Sequence, residues 1–281
     1  MTAPPPLTDR TSLARNRRRA ERQGFAAFLH DLAADVIEER LEEVNRRFTD
    51  MAVVTGHPDF WKSRFPDATV VPDEDVLALA LGSHDLVVHA LALHWANDPV
   101  GQLVQARRAL RPDGLFLGVT FGGQTLSELR SALAEAEVAL IGGLSPRVLP
   151  MGEIRDLGSL LQRAGLALPV ADNLTQVVTY ESPLALLRDL RAMGESNALS
   201  ERNRRPPPKR LFAEMERVYS GAFPAGNGRV RAMFELVFLT GWAPNDTQPK
   251  PLRPGSAKAR LADALNAVEI PAGDAVSRPQ D

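Results

Sequence analysis

His84, His89 and His94 recur at five-residue steps, and Trp95 follows the third directly. Three histidines raise the prospect of a metal site, but five-residue steps alternate faces on a strand and do not align on a helix. His94 and Trp95 stand apart, because they follow the end of an apolar run, and open α/β sheets bind ligands beyond their strand ends. A packing role for Trp95 is the competing reading. Further along, Glu195-Ser196-Asn197 offers a carboxylate, a hydroxyl and a carboxamide just past a helix end. With Gly194 the same segment also reads as a helix C-cap. Arg147, in Ser-Pro-Arg, and Arg130 are cations able to pair with a carboxylate or phosphate, which most surface arginines do not do. Gly122-Gly123 either lets a substrate approach the backbone or makes a tight turn. No nucleophile–base pair stands out.

The elements that would position these residues are legible from pattern. Apolar residues at three- and four-residue steps predict a helix over 25–48. Met51–Thr55 reads as a short buried strand ending at Gly56, and residues 58–66 hold a turn or two of helix. Thr69–Val71 is a second β-branched run, followed by Asp73-Glu74-Asp75. Leu86–Val88 is a buried strand, after which Asn97 or Asp98 caps a helix with Pro99 at its first position. Arg111-Pro112-Asp113-Gly114 has turn chemistry, with Gly114 available for positive φ. Leu115–Phe121 reads as a strand covered on both faces. Thr125-Leu126-Ser127-Glu128 fits a capping box opening a helix that Gly142-Gly143 ends. A helix near 152–164, strand-like runs at 166–171 and 175–180, a helix from Ser182-Pro183 to Met193, a helix near 209–221 and a strand over Val230–Leu239 complete the chain. The predicted class is α/β: a Rossmann-like, mostly parallel sheet with helices on both faces, and a helical insertion over about 181–225 before the last strand.

The 281 residues suffice for one substantial core, and 44% hydrophobic with 24% charged residues is ordinary for a globular protein. A net charge of −2 gives no reason to expect a nucleic-acid partner. The absence of cysteine excludes disulfides and thiolate chemistry and suits a reducing cytoplasm, where the chain is expected. No apolar run is long enough to span a bilayer. Residues 1–24 are arginine-rich and acid-poor, a composition shared with organellar presequences; the reading adopted is a flexible basic arm. Residues 25–255 are the expected domain, and 256–281 a tail.

The turn Ala90-Leu91-Ala92-Leu93-His94-Trp95-Ala96-Asn97-Asp98, followed by Leu110-Arg111-Pro112-Asp113-Gly114, resembles the region after strand four in the "type 11" S-adenosylmethionine-dependent methyltransferases. Phe121-Gly122-Gly123, Thr125-Leu126, Glu128-Leu129-Arg130, Gly142 to Arg147, Asp189 to Asn197 and Leu239-Thr240-Gly241-Trp242 are similar to motifs of a narrower branch. That branch holds bacterial relatives of the complex I assembly factor that hydroxylates an arginine. The malonyl-carrier-protein methyltransferase of biotin synthesis is more distant. The resemblance implies a site for S-adenosylmethionine lined by Gly56, Asp73, His89, Ala90, Leu91, His94 and Trp95. It implies a substrate side formed by Gly122, Gly123, Arg147, Glu195, Ser196 and Asn197, and a protein or carrier substrate or an assembly partner, such as a respiratory-complex subunit.

The first half departs from that family. Its glycine-rich loop is reduced to Thr55-Gly56-His57-Pro58, in which Pro58 fixes φ and lacks a donor. Gly56 and Asp85 are 29 residues apart, where two strands and two helices need roughly 50. The expected alignment makes Thr69–Val71 the third strand, with the second strand and its ribose-gripping acid lost. Two activities remain open: methyl transfer from S-adenosylmethionine, or a non-catalytic assembly or scaffold role without the cofactor. A hydroxylase would need oxygen and a reductant, and no metal-ligand motif supports one.

Overall fold

The computed structural model describes residues 5–249. Four parallel strands form its first half: β1 (Met51–Thr55), β2 (Thr69–Pro72), β3 (His84–Ala90) and β4 (Leu110–Phe121). The long β7 (Arg229–Trp242) pairs antiparallel with β4, and β5 (Ala167–Tyr180) pairs antiparallel with β7 and so runs in the direction of the first four, giving the order β2-β1-β3-β4-β7-β5. The short β6 (Pro224–Gly226) pairs with β7. The parallel register is thus confined to the first half. The two runs expected at 166–171 and 175–180 are one edge strand. Its alternation of half-buried and exposed side chains suits one covered face.

Helices cover both faces. On one side α2 (Phe28–Glu43), α3 (Pro58–Arg64), α5 (Ser127–Ile141), α7 (Pro183–Ala192) and α8 (Lys209–Ala222) contribute to a core built around Leu29, Trp61, Leu117, Leu129, Leu186, Leu211 and Phe234. On the other, α4 (Pro99–Ala109) and α6 (Ile154–Arg163) pack Leu103, Ala106 and Leu161 against Val54, Val87 and Phe116. β3 is buried at every position; its apolar centre Leu86–Val88 suits a strand covered on both faces, and His84, Asp85 and His89 are buried with it.

Four local expectations change. Residues 10–23 are a helix, α1 (Arg10–Gln23), and not a solvated arm. Asp9 caps it by accepting from the Ser12 amide, and Leu13, Asn16, Arg17 and Ala20 form a buried stripe at helical spacing. The capping box at Thr125 does not form. The Thr125 hydroxyl bonds both backbone groups of Glu235, and α5 starts after Leu126, which takes φ 55°. Asp113, not Gly114, adopts positive φ (61°); a Cβ at Gly114 would come within 2.9 Å of the Arg111 carbonyl oxygen. Finally, β2 pairs directly with β1, so it holds the second-strand place in a doubly wound sheet, and no outer strand follows it among the described residues. Spacing revealed the shortening but not which strand was lost. The tail expected at 256–281 lies outside the described residues.

Candidate functional site

Beyond the carboxyl end of β3, Leu91 takes a left-handed conformation (φ 46°), its amide held by the Val119 carbonyl at 2.9 Å. A single 3₁₀ turn, Leu93–Trp95, then aims two polar ring atoms inward. The Trp95 Nε1 donates to Glu195 Oε2 at 2.7 Å, and His94 Nε2 lies 3.4 Å from the same oxygen. Glu195 reaches them through the ending of α7. Gly194, at φ 82°, bonds the Arg191 carbonyl, and the Glu195 amide bonds that of Leu190. This pair of bonds is a Schellman motif, so the helix cap itself delivers the carboxylate. Burial pushes the Glu195 carboxyl up, but His94, Arg17 and the Trp95 donor outweigh it and hold it below the usual range.

Glu195 and Trp95 border a cavity of about 340 Å³ whose walls are otherwise mainly apolar, including Phe121, Leu129, Met193 and Phe234. Glu195 Oε1 has no protein donor among the described residues. Arg147 also borders the cavity, but it is spoken for: its Nε donates to the buried Glu137 at 2.6 Å. Ser196 and Asn197 line the same wall and brace it. The Ser196 carbonyl accepts from Asn16 at 2.9 Å, and Asn197 Nδ2 donates to the Pro146 carbonyl at 2.9 Å.

Gly122 and Gly123 do not open onto a substrate. A Cβ at Gly122 would stand 2.5 Å from the Glu235 carboxylate, and one at Gly123 would stand 2.3 Å from that of Glu153. Their bareness admits the protein's own acids. Glu235, which sequence reasoning missed, is buried and fastens the turn through the Gln124 amide (2.9 Å) and Asn173 (2.6 Å).

The cofactor side is arranged differently from expectation. His89 faces α4, where its Nε2 lies 2.7 Å from Gln102 Oε1; it is a core histidine and not a cleft residue. Gln102 in turn donates to the carbonyls of Asp73 and Glu74, fixing the turn after β2. Ala90 and Leu91 are buried in the core. Asp73 lies 18 residues beyond Thr55, at the tip of the second strand, where dinucleotide-binding folds carry the acid that holds ribose hydroxyls. Its oxygens are occupied: Arg17 Nη1 donates at 2.6 Å and Nη2 at 3.2 Å, and Arg10 Nη1 adds a bond of 3.2 Å. Burial raises the Asp73 carboxyl, yet the two arginines more than reverse it and hold it low. The Arg17 guanidinium also covers Gly56, where a Cβ would fall 2.1 Å from Cζ.

Beside it, His57 is buried, stacks on Phe25 at 4.2 Å, and has neither ring nitrogen in a well-formed hydrogen bond. Burial and then Arg17 pull it down to about 4. Arg17 and His57 were not anticipated from sequence, although the 13/16/17/20 stripe on α1 carried the signal. His84, His89 and His94 bond separate partners, and no group of three metal-binding side chains occurs among the described residues.

A parallel half-sheet that gathers polar groups beyond its carboxyl ends, completed by an antiparallel last strand, defines a Rossmann-like class I methyltransferase fold. The chain belongs to the S-adenosylmethionine methyltransferase family. Residues 26–118 match the family described as "Methyltransferase domain". A malonyl-[acyl-carrier protein] O-methyltransferase of Halorhodospira halophila is 31% identical over 258 residues, covering 81% of this chain and 85% of that one. The mitochondrial arginine-hydroxylase NDUFAF5 of Danio rerio is 37% identical over 201 residues, 72% of this chain and 62% of the relative. The human protein of that name is 37% identical over 202 residues, 72% of this chain and 58% of the relative. The chain therefore spans about three fifths of these hydroxylases. The cytoplasmic placement expected above is corrected by these mitochondrial relatives.

S-adenosylmethionine is the cofactor of the family, and the residues here do not fit it. The glycine loop is reduced to Gly56, the space above that glycine holds Arg17, and the acid suited to ribose is already bonded by two arginines.

Proposed function

We propose that this chain is a protein-binding member of the family that receives an arginine side chain of a partner, as a step in respiratory-complex assembly. The observation that carries this reading is Glu195, a carboxylate held by Trp95 and His94 at the wall of an apolar cavity. An apolar channel accepts the methylene stem, and an ionised carboxylate at its end accepts guanidinium N–H groups. The partner class is supported by the relatives named arginine-hydroxylase, 37% identical over 201 residues in Danio rerio. A pull-down of respiratory-complex subunits with wild type and Glu195→Gln tests it. Capture by the wild type alone is expected, and equal capture by both contradicts the reading.

A second reading, methyl transfer from S-adenosylmethionine, is favoured by one observation: Asp73 stands where the ribose acid belongs. It requires Arg17 to leave that acid. Calorimetry separates the two, since a methyltransferase should bind the demethylated product at micromolar concentration and the first reading requires no such binding.

A further inference from the structure

Asp73 and Arg17 form more than a surface ion pair. The guanidinium gives the carboxylate two parallel donors, both partners are buried, and Arg10 closes over the second oxygen. Two vicinal ribose hydroxyls would present the same carboxylate with a comparable pair of donors. Glycines make room for the arginine on two sides. Gly56 lies under the guanidinium, and a Cβ at Gly194 would stand 3.2 Å from the Arg17 Cα. The helix that carries Arg17 is tied along its length: Asp9 bonds the Ala198 carbonyl and Arg202, Asn16 bonds the Ser196 carbonyl, and Thr8 bonds Asn97.

We propose that Arg17 is a resident internal ligand of this chain, a guanidinium that takes the place of ribose hydroxyls at Asp73 and seals the site against nucleosides. Because donor and acceptor belong to one chain, the contact forms at high effective concentration, and a free nucleoside must displace a charge-assisted fork with two neutral hydroxyls. At the reduced glycine loop a buried arginine on α1 thus joins Arg10 in compensating a buried acid. This inference is separate from the arginine-pocket reading, since it concerns the acid Asp73 and not the cavity beside Glu195.

The test is thermal shift and calorimetry on the full chain. Wild type should show no response to millimolar S-adenosylhomocysteine or adenosine. Arg17→Ala should melt several degrees lower, and low-millimolar methylguanidine should raise its Tm while leaving the wild type unmoved. Adenosine should bind Arg17→Ala at least tenfold more tightly than wild type. Micromolar binding of S-adenosylhomocysteine to the wild type overturns the proposal. So does a folded Arg17→Ala with unchanged Tm and no methylguanidine response. If Arg17→Ala does not fold, Arg17→Lys retains the charge and loses the fork. Its Tm should lie several degrees below wild type, and an unchanged Tm overturns the proposal equally.

Discussion

Trp95 Nε1 and Glu195 Oε2 meet at 2.7 Å across 100 residues of chain, joining the turn after β3 to the cap of α7. The bond fixes a carboxylate at a cavity wall without cancelling its charge, because indole is a neutral donor. Trp95→Phe keeps an aromatic ring but removes that donor and part of the ring volume. The lost bond to a charged acceptor should lower stability by about 1.5–3 kcal/mol, read from denaturant midpoints at unchanged m.

Glu195→Gln preserves an acceptor for Trp95 and removes the charge. Affinity for a cationic ligand should fall roughly 10- to 100-fold, with a modest fall in Tm because folding favours the ionised form. Because Glu195 is held below the usual carboxylate range, wild-type affinity should stay flat from neutral pH to about 5 and decline only in stronger acid. A decline centred near neutrality would point to a different group.

His57 makes stability depend on pH in a definite direction. Its value drops from 6.5 to about 4 on folding, so the unfolded chain binds more protons between those values. Its contribution is complete above about 6.5 and is lost as pH falls toward 4, on the order of 3 kcal/mol in all. The buried His30 and His89 shift the same way, whereas Asp73 and Glu195, held low, lose their contributions only in stronger acid. His57→Gln should flatten the upper part of the stability–pH curve; an unaltered curve would show that His57 is not the group responsible.

Gly122→Ala brings a methyl within 2.5 Å of the Glu235 carboxylate and 2.7 Å of Val237 Cγ2. Glu235 is fastened by Gln124 and Asn173 and cannot swing aside freely. Overpacking of this kind costs about 1–3 kcal/mol. A Tm equal to wild type would mean that the turn relaxes.

The block around β3 and the cleft beyond it were legible because each element carries its own signal. These are the buried run of β3, the Asp98-Pro99 helix start, and the Gly194 cap that delivers Glu195. Parallel β1 and β2 were legible as strands, but the identity of the missing strand was not, because pairing is a relation between segments. His89 looked like a cleft residue until its strand face was known; alternation sends it to Gln102. Arg17 was hidden by composition. An arginine run reads as solvated, and only the Asp73 partner, 56 residues away, reverses that. Gly122 and Gly123 signalled close approach correctly, while the groups approaching them, Glu235 and Glu153, carry no local signal.

The central claim is that Glu195 makes the cavity a receptor for a guanidinium. The most direct measurement is an NMR titration of the 281-residue chain, wild type and Glu195→Gln, with N-acetyl-arginine amide and its neutral citrulline counterpart. Saturable millimolar binding of the arginine compound, with shifts at the Trp95 indole, is predicted for the wild type, together with at least tenfold weaker binding of citrulline and loss of that preference in Glu195→Gln. Equal binding of the two compounds by the wild type, or no perturbation at Trp95, would contradict the account.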